Sequence, residues 1–125
     1  MGTHRDLEVW KNSRELVKDV YKQTLLFPKD EMYGLTNQIR RAAVSVPVNI
    51  SEGSGRLRPK ELHYFLRISF GSLSELETLL IIAEDLHYLD GANFAILHNK
   101  IKLITSQLSS LINSIENKIE NSRKN

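Results

Sequence analysis

Residues 94–115 read FAILHNKIKLITSQLSSLINSI, and their apolar pattern decides the fold. The apolar side chains recur at alternating gaps of three and four residues: Phe94, Leu97, Ile101, Ile104, Leu108, Leu111 and Ile115. A seam that repeats every 3.5 residues is buried by packing against other helices at a shallow left-handed angle. The stretch therefore predicts a long helix of a helical bundle.

Three segments that precede this stretch each carry one apolar stripe on an otherwise polar helix. Together with it they predict helices over about 6–26, 32–54, 59–88 and 92–119, followed by a polar tail at 120–125. Short connections between long helices make consecutive helices antiparallel. The sequence thus predicts an all-α protein in which residues 1–125 form one domain, an antiparallel up-down-up-down four-helix bundle.

Turn residues and one candidate cap mark the helix ends. We expect Asp6 to cap helix 1, because its carboxylate can accept hydrogen bonds from the free amides of the first turn. Pro28 marks the first corner and the segment 53–59, with two glycines and Pro59, the second. Helix 3 is expected to close at Leu89, Asp90 and Gly91, with Gly91 available for a left-handed C-cap.

Pro47 lies in the interior of predicted helix 2. Proline removes an amide donor and crowds the carbonyl four residues back, at a cost of about 3 kcal/mol in an isolated helix. The alternating valines at 44, 46 and 48 would suit a strand, but no second strand candidate exists to pair with them. We therefore predict that helix 2 continues through Pro47 with a kink.

Composition and length argue against several classes of protein. The chain of 125 residues has no cysteine, which fits a reducing compartment, and no apolar stretch near the roughly 20 residues that span a bilayer. The four histidines lack metal-ligand spacing, and no catalytic constellation occurs. We expect a cytoplasmic protein without membrane association, metal, cofactor or enzymatic activity.

Charge is unevenly distributed, although the net charge is only +2. Residues 33–74 contain six bases and two acids, whereas residues 75–90 contain five acids and no Lys or Arg. Such polarity indicates either an anionic partner or mutual pairing of the two regions.

Arg40 and Arg41 are the first candidates for contact with an anion. A turn centred near Leu57 places residue 41 opposite about residue 73, so both arginines are expected near Glu75 and Glu77. They either form ion pairs between helices or subunits, or remain free to bind phosphate.

Arg56, Arg58 and Lys60 surround the turn between helices 2 and 3, and Glu61 is expected to be the only acid near them. Three bases at one end of a bundle could contact a nucleic-acid backbone in a salt-dependent manner. The alternative is solvated charge on an end loop.

Two further features of helices 2 and 3 are expected to be structural. Polar residues recur along helix 2 at steps of four and three and predict a buried hydrogen-bonded seam more than a ligand site: Asn37, Arg41, Ser45, Asn49 and Glu52. Gly71 lies midway along helix 3, where glycine costs up to about 1 kcal/mol relative to alanine, so we expect another helix to pack closely there.

Four stretches, in this order and spacing, resemble a bacterial family of four-helix bundles: DLEVW at 6–10, FPKDEMYGL at 27–35, QIRRAAVSVPVNISEG at 38–53 and GSLSELE at 71–77. The family is named for proteins encoded within the intervening sequences of 23S ribosomal RNA genes. The resemblance extends from Asp6 to about Leu89.

The resemblance implies a bundle with a kinked helix 2, assembled as a ring of five subunits and without known enzymatic activity. A related branch, the accessory variability protein of diversity-generating retroelements, is a pentameric barrel that binds a reverse transcriptase and nucleic acid. By this resemblance the anion-contact candidates are Arg40, Arg41, Arg56 and Arg58, and the structural candidates are Pro47, Asn49, Glu52, Gly71 and Glu75.

Two functions remain open at the level of sequence. The first is a non-enzymatic homo-oligomer, with five subunits as in the family, that binds RNA or a ribonucleoprotein through repeated basic surface. The second is a protein-interaction scaffold whose arginines are engaged in internal pairs. Because helix 1 is shorter than helices 3 and 4, part of their apolar seam is expected to lie at a subunit interface.

Overall fold

The computed structural model describes His4 and residues 7–124. In these residues the chain forms four α-helices, α1 at Glu8–Thr24, α2 at Leu35–Ser54, α3 at Pro59–Asp85 and α4 at Gly91–Lys124, with a short 3₁₀ turn at Lys29–Glu31. This part of the chain contains no strand. The prediction of an all-α protein with four helices is confirmed.

Five helix ends differ from the prediction by two residues or more, among them the end of α1 at Thr24 and the start of α2 at Leu35. Helix α1 begins at Glu8 with Leu7 at the N-cap position, and the predicted cap Asp6 lies outside the described residues. Helix α3 ends at Asp85 and α4 continues to Lys124. Residues 120–124, predicted as a polar tail, are therefore the last turns of α4.

The predicted apolar stripes form the core. Val46, Leu66, Leu80 and Leu108 are fully buried, and burial of each such side chain contributes about 1.5–3 kcal/mol. Tyr21 and Leu86 belong by their spacing to the apolar stripes of helices 1 and 3, and the prediction that they face inward is wrong, because both are exposed.

Polar contacts between neighbouring helices show how the helices run past one another. Asn12 Nδ2 donates to Gln107 Oε1 at 3.1 Å, and Asp19 pairs with Lys100, so residue numbers fall along α4 as they rise along α1. In the same order, Glu77 Oε2 lies 2.8 Å from His98 Nε2 and His63 Nε2 lies 2.8 Å from Glu116 Oε2. These contacts bring the last turns of α4 beside the first turns of α3.

Helix α2 continues without interruption through Pro47, which is buried. Side chains bond two backbone carbonyls beside the proline: Ser69 Oγ donates to the Val46 oxygen at 2.9 Å, and Asn49 Nδ2 donates to the Ser45 oxygen at 2.8 Å. The carbonyl that loses its helical donor at Pro47 is that of Ala43, so these two bonds hold the segment in place without replacing the missing one.

The turn between α3 and α4 corrects the prediction for Gly91. His87 adopts the positive φ, at 63°, and the Tyr88 amide bonds back to the Ala83 oxygen at 3.0 Å, as in a Schellman motif. Gly91 is instead the first residue of α4. Asp90 caps α4, because its Oδ1 accepts a hydrogen bond from the Asn93 amide at 2.7 Å.

The close approach expected at Gly71 occurs at Gly53. A Cβ at position 71 would meet no atom within 4 Å, whereas one at position 53 would lie 2.9 Å from Phe65 Cβ and 3.3 Å from the Leu62 backbone oxygen. Position 71 faces outward on α3, so within one chain the prediction for Gly71 is wrong. Gly53 lets α2 and α3 converge at their shared corner.

None of the helices formed by the described residues combines the length and the apolar content that a bilayer span requires.

Candidate nucleic-acid interface

Three bases from two distant parts of the sequence come together at one end of the bundle. Arg58 is the N-cap residue of α3, Lys60 lies in its first turn, and Arg123 lies in the last turn of α4. These side chains line one opening of about 300 Å³, together with Pro59, Ile119 and Ser122. All three bases are exposed. We call Arg58, Lys60 and Arg123 the basic end.

The same end carries a surplus of positive charge. Residues 56–67 and 116–124 contain seven Lys or Arg residues against three acids. Glu116 and Glu120 line an adjacent opening of about 420 Å³, which Lys60 and Arg123 also border. Glu116 contacts His63 in that opening. Within the described residues, no ion pair involves any of the three bases of the basic end.

Arg56 is engaged by contacts with two residues of its own chain. Its Nη2 lies 3.0 Å from Glu52 Oε1, and its guanidinium lies 5.0 Å from the centre of the Phe65 ring. Glu52, predicted to be buried in the seam, is exposed and serves as the partner of Arg56. An exposed pair of this kind contributes at most about 1 kcal/mol, but it reduces the charge that Arg56 offers to an anion.

Arg40 was predicted to lie near Glu75 and Glu77, but its contacts are with another helix. Its Nε donates to Thr24 Oγ1 at 2.9 Å, and its guanidinium lies 4.6 Å from the centre of the Tyr21 ring, so it packs against α1. Adjacent residues of a helix point about 100° apart, since 3.6 residues complete one turn. Arg40 therefore faces α1 while Arg41 faces α3.

Arg41 lies near Glu75, whereas its other predicted neighbour, Glu77, contacts His98 of α4. Arg41 shares a polar groove of about 380 Å³ between α2 and α3 with Ser72, Glu75, Asn37 and Ser45. Arg41 and Glu75 are both exposed, and no ion pair within 4.0 Å joins them in the described part of the chain. A cation beside a carboxylate attracts a polyanion less than the basic end does.

The hydrogen-bonded seam predicted on helix 2 is shorter than expected and includes α3. Asn49 Nδ2 donates to Ser45 Oγ at 2.9 Å, and Ser45 Oγ lies 2.8 Å from Ser72 Oγ. Ser45 and Asn49 are half-buried, whereas Asn37 and Arg41 are exposed. A partly buried network between two helices favours one relative register.

Arg123 is the functional candidate that the sequence analysis missed. Ile119 follows Ile115 by four residues and is the last apolar residue of the seam, at the predicted end of helix 4. Residues 120–124 are all polar, so the apolar spacing gave no sign that they are helical. No local pattern shows that Arg123 lies beside Arg58, because the two are 65 positions apart in the sequence.

The described residues contain no group of three or more His, Asp or Glu side chains placed to hold a metal ion. The arrangement at the basic end can attract phosphates, carboxylates or other anions, and salt screens such attraction between exposed charges.

A protein of known structure has a similar fold. A protein of unknown function from the S23 ribosomal protein family of Bacteroides thetaiotaomicron matches with a TM-score of 0.75 and 23% sequence identity, over 83% of this chain and 97% of that chain. No curated protein matches. The 23S rRNA-intervening sequence protein family matches residues 5–110, in agreement with the four stretches that resemble it. The chain therefore belongs to the 23S rRNA-intervening sequence protein family.

Proposed function

We propose that this protein is a non-enzymatic, oligomeric helical bundle that binds RNA or a ribonucleoprotein through its basic end, in the cytoplasm. The observation that supports this most is the convergence of Arg58, Lys60 and Arg123 on one opening, in which none of them forms an ion pair with another described residue. Exposed cations of this kind bind a nucleic-acid backbone by displacing its counterions.

The proposal narrows the set of contact residues. Arg40 and Arg56 have partners within the chain, and Arg41 lies beside Glu75. We assign phosphate contact to Arg58, Lys60 and Arg123, with Arg41 secondary. Such contacts position a backbone but do not read sequence, so binding is expected to depend on RNA structure more than on base identity.

The architecture we propose is an antiparallel up-down-up-down bundle with a kink at Pro47. The order of contacts along α1, α3 and α4 supports the antiparallel arrangement. The missing amide of Pro47 supports the kink, because the Ala43 carbonyl loses its helical partner.

Assembly would multiply a weak contact. A ring of five subunits, as the family resemblance implies, would present five basic ends, and each contact after the first would be effectively intramolecular. Light scattering on the purified protein measures the assembly. A mass of five chains is expected, and a monomer at working concentration would contradict the assembly proposal.

The direct test is binding of a fluorescently labelled RNA hairpin across a salt series. Changing Arg58, Lys60 and Arg123 together to Ala should weaken binding at least about tenfold at low salt and make the salt dependence shallower, because phosphate contacts are lost. The matched control changes three exposed lysines away from this end, Lys22, Lys29 and Lys102, to Ala. It removes the same charge and should change affinity much less.

Equal weakening by both triple variants would mean that overall charge, and not the basic end, drives binding. Absence of salt-sensitive binding to any structured RNA would reject the RNA proposal. The protein-interaction scaffold would then remain, which the internal contacts of Arg40 and Arg56 favour.

A further inference from the structure

The end of the bundle opposite the basic end is built from two connections. The segment between α1 and α2 meets the turn between α3 and α4, where the rings of Phe27 and Tyr88 lie 5.7 Å apart. The Tyr88 hydroxyl also donates a hydrogen bond to Glu31 Oε2 at 3.0 Å. We call residues 25–34 and 81–96 together the acidic end.

Large apolar side chains are concentrated on the acidic end. Tyr33 is 94% exposed, Leu26 78% and Leu25 75%. The described part of the chain has fourteen exposed large hydrophobic residues, and eight of them lie at the acidic end. Besides Leu25, Leu26 and Tyr33, these eight are Met32, Ile81, Ile82, Leu86 and Ile96. Exposed apolar surface concentrated in this way marks an interaction site.

These side chains do not support the fold of a single chain. Phe27, between Leu26 and Pro28, is buried and fills the contact with Tyr88, whereas Leu25 and Leu26 face water. Ile82 and Leu86 are four residues apart, a spacing that places side chains on one side of a helix. Packing within a single chain therefore does not explain why these apolar side chains are present on the surface.

Negative charge accompanies the apolar surface. Residues 25–34 and 81–96 contain five acids and one base, Lys29. Glu31 accepts from the Leu35 amide and from Tyr88, and Asp90 caps α4. Asp30 and Asp85 are exposed and form no ion pair with another described residue.

We propose that the acidic end docks a basic amphipathic helix of a partner protein. Leucine-like side chains of that helix would cover Leu25, Leu26 and Tyr33, and its Lys or Arg residues would face Asp30 and Asp85. Apolar burial supplies affinity in such helix docking, and complementary charge supplies specificity and speed of association. The inference does not depend on RNA binding. The acids of this end repel a polyanion such as RNA, so the two proposed partners would occupy different ends.

The probe is a labelled 18-residue peptide with leucines on one helical face and lysines on the other. Its matched control carries glutamates in place of the lysines. Fluorescence anisotropy with the full chain should show that the lysine peptide binds at least about tenfold more tightly, with an advantage that shrinks as salt is added.

Two sets of substitutions locate the binding. Leu26→Ser with Tyr33→Ser, and separately Asp30→Asn with Asp85→Asn, should each weaken the lysine peptide several-fold or more. The control set, Leu57→Ser with Glu61→Gln, changes exposed residues at the other end and should leave peptide binding unchanged. Because all six positions are exposed, circular dichroism should report the same helix content for every variant.

Three outcomes would overturn the inference. The first is equal binding of the two peptides, and the second is binding that survives both sets of acidic-end substitutions. The third is a change in mass by light scattering when Leu26 and Tyr33 are replaced, which would mean that a second copy of the chain covers this end. The Arg58, Lys60 and Arg123 variant should retain peptide binding, so failure of the RNA proposal would be distinguishable.

Discussion

His87 is the non-glycine residue with a positive φ in the described part of the chain. An L-residue pays roughly 1–2 kcal/mol in the left-handed region, because its Cβ approaches the following carbonyl oxygen. His87 is exposed, so its side chain gains little packing in return. The left-handed position at this helix end is the one that glycine most often occupies in proteins.

His87→Gly should raise the free energy of unfolding by about 0.5–1 kcal/mol, since relief of the Cβ contact exceeds the added backbone entropy of glycine. Urea denaturation measures the change through the midpoint at constant m. His87→Ala is the matched control. It removes the imidazole but keeps the Cβ, and an equal gain for Ala would contradict the explanation.

Thr36 is another residue-scale feature that the sequence did not indicate. Its side chain is 1% exposed, and within the described residues its Oγ1 has no hydrogen-bond partner. A buried hydroxyl without a partner costs about 1–3 kcal/mol by comparison with a satisfied one. Ser69 shows the contrast, because its buried Oγ donates to the Val46 oxygen.

At the scale of helices, α2 and α3 make the most extensive contact between any two helices of the described bundle. Gly53 permits their approach at the corner, and the hydroxyls of Ser45 and Ser72 meet further along. Small residues on both helices thus allow the two backbones to approach each other. Short polar contacts favour one register of α2 relative to α3. The Pro47 segment of α2 lies against this same neighbour through Ser69.

Gly53→Ala and Gly71→Ala should have opposite effects on stability. Alanine at 53 would press against Phe65 Cβ and the Leu62 backbone oxygen, which should lower the free energy of unfolding by about 1–3 kcal/mol. Alanine at 71 meets open space and should raise it by up to about 1 kcal/mol through helix propensity. Thermal and urea denaturation of both variants measure the difference.

The Gly71 variant also probes assembly. If a second chain packs on this face, Gly71→Ala should reduce the mass measured by light scattering and cancel the gain in stability. Stabilisation with unchanged mass would place the face outside any subunit interface.

At the scale of the whole molecule, the two ends have opposite charge. The basic end joins the start of α3 to the end of α4, and the acidic end joins both remaining connections through Phe27, Glu31 and Tyr88. The separation gives one bundle two surfaces of different chemistry. Salt should therefore weaken binding at both ends, with partners of opposite charge.

The contact that closes the acidic end should make stability fall at alkaline pH. The hydrogen bond to Glu31, then burial and the charges of Glu31 and Asp30, raise the pKa of Tyr88 above its usual value of 10.0. A group whose pKa is raised on folding contributes fully below the unfolded pKa, and the contribution is lost as pH rises through the folded pKa. Stability should thus begin to fall near pH 10.

Tyr88→Phe removes this titration and keeps the ring against Phe27. The variant should lose less stability between pH 9 and pH 11 than the parent protein, as measured by urea denaturation at each pH. Tyr64→Phe, at an exposed position, is the control. A pH profile in the Tyr88 variant that matches the parent would contradict the role of the Glu31 contact.

By itself, the sequence determined the class of fold and most of the core. The spacing of apolar residues is a local property with the period of a helix, so Leu97, Ile101, Ile104 and Leu108 could be assigned to a buried face without knowledge of their neighbours. Pro47 could be placed inside a helix for the same reason. Membership of the family also followed from sequence, because its motifs are continuous stretches.

Only the tertiary structure decided which charges are available for binding. Arg40 contacts α1, Arg56 contacts Glu52, and Arg123 joins Arg58 at the basic end. Such outcomes depend on the rotation and register of helices that are distant in sequence, and a change of one residue turns a side chain by about 100°. Local periodicity specifies that helices pack, whereas the contacts across the whole bundle decide which charged side chains are paired within the chain.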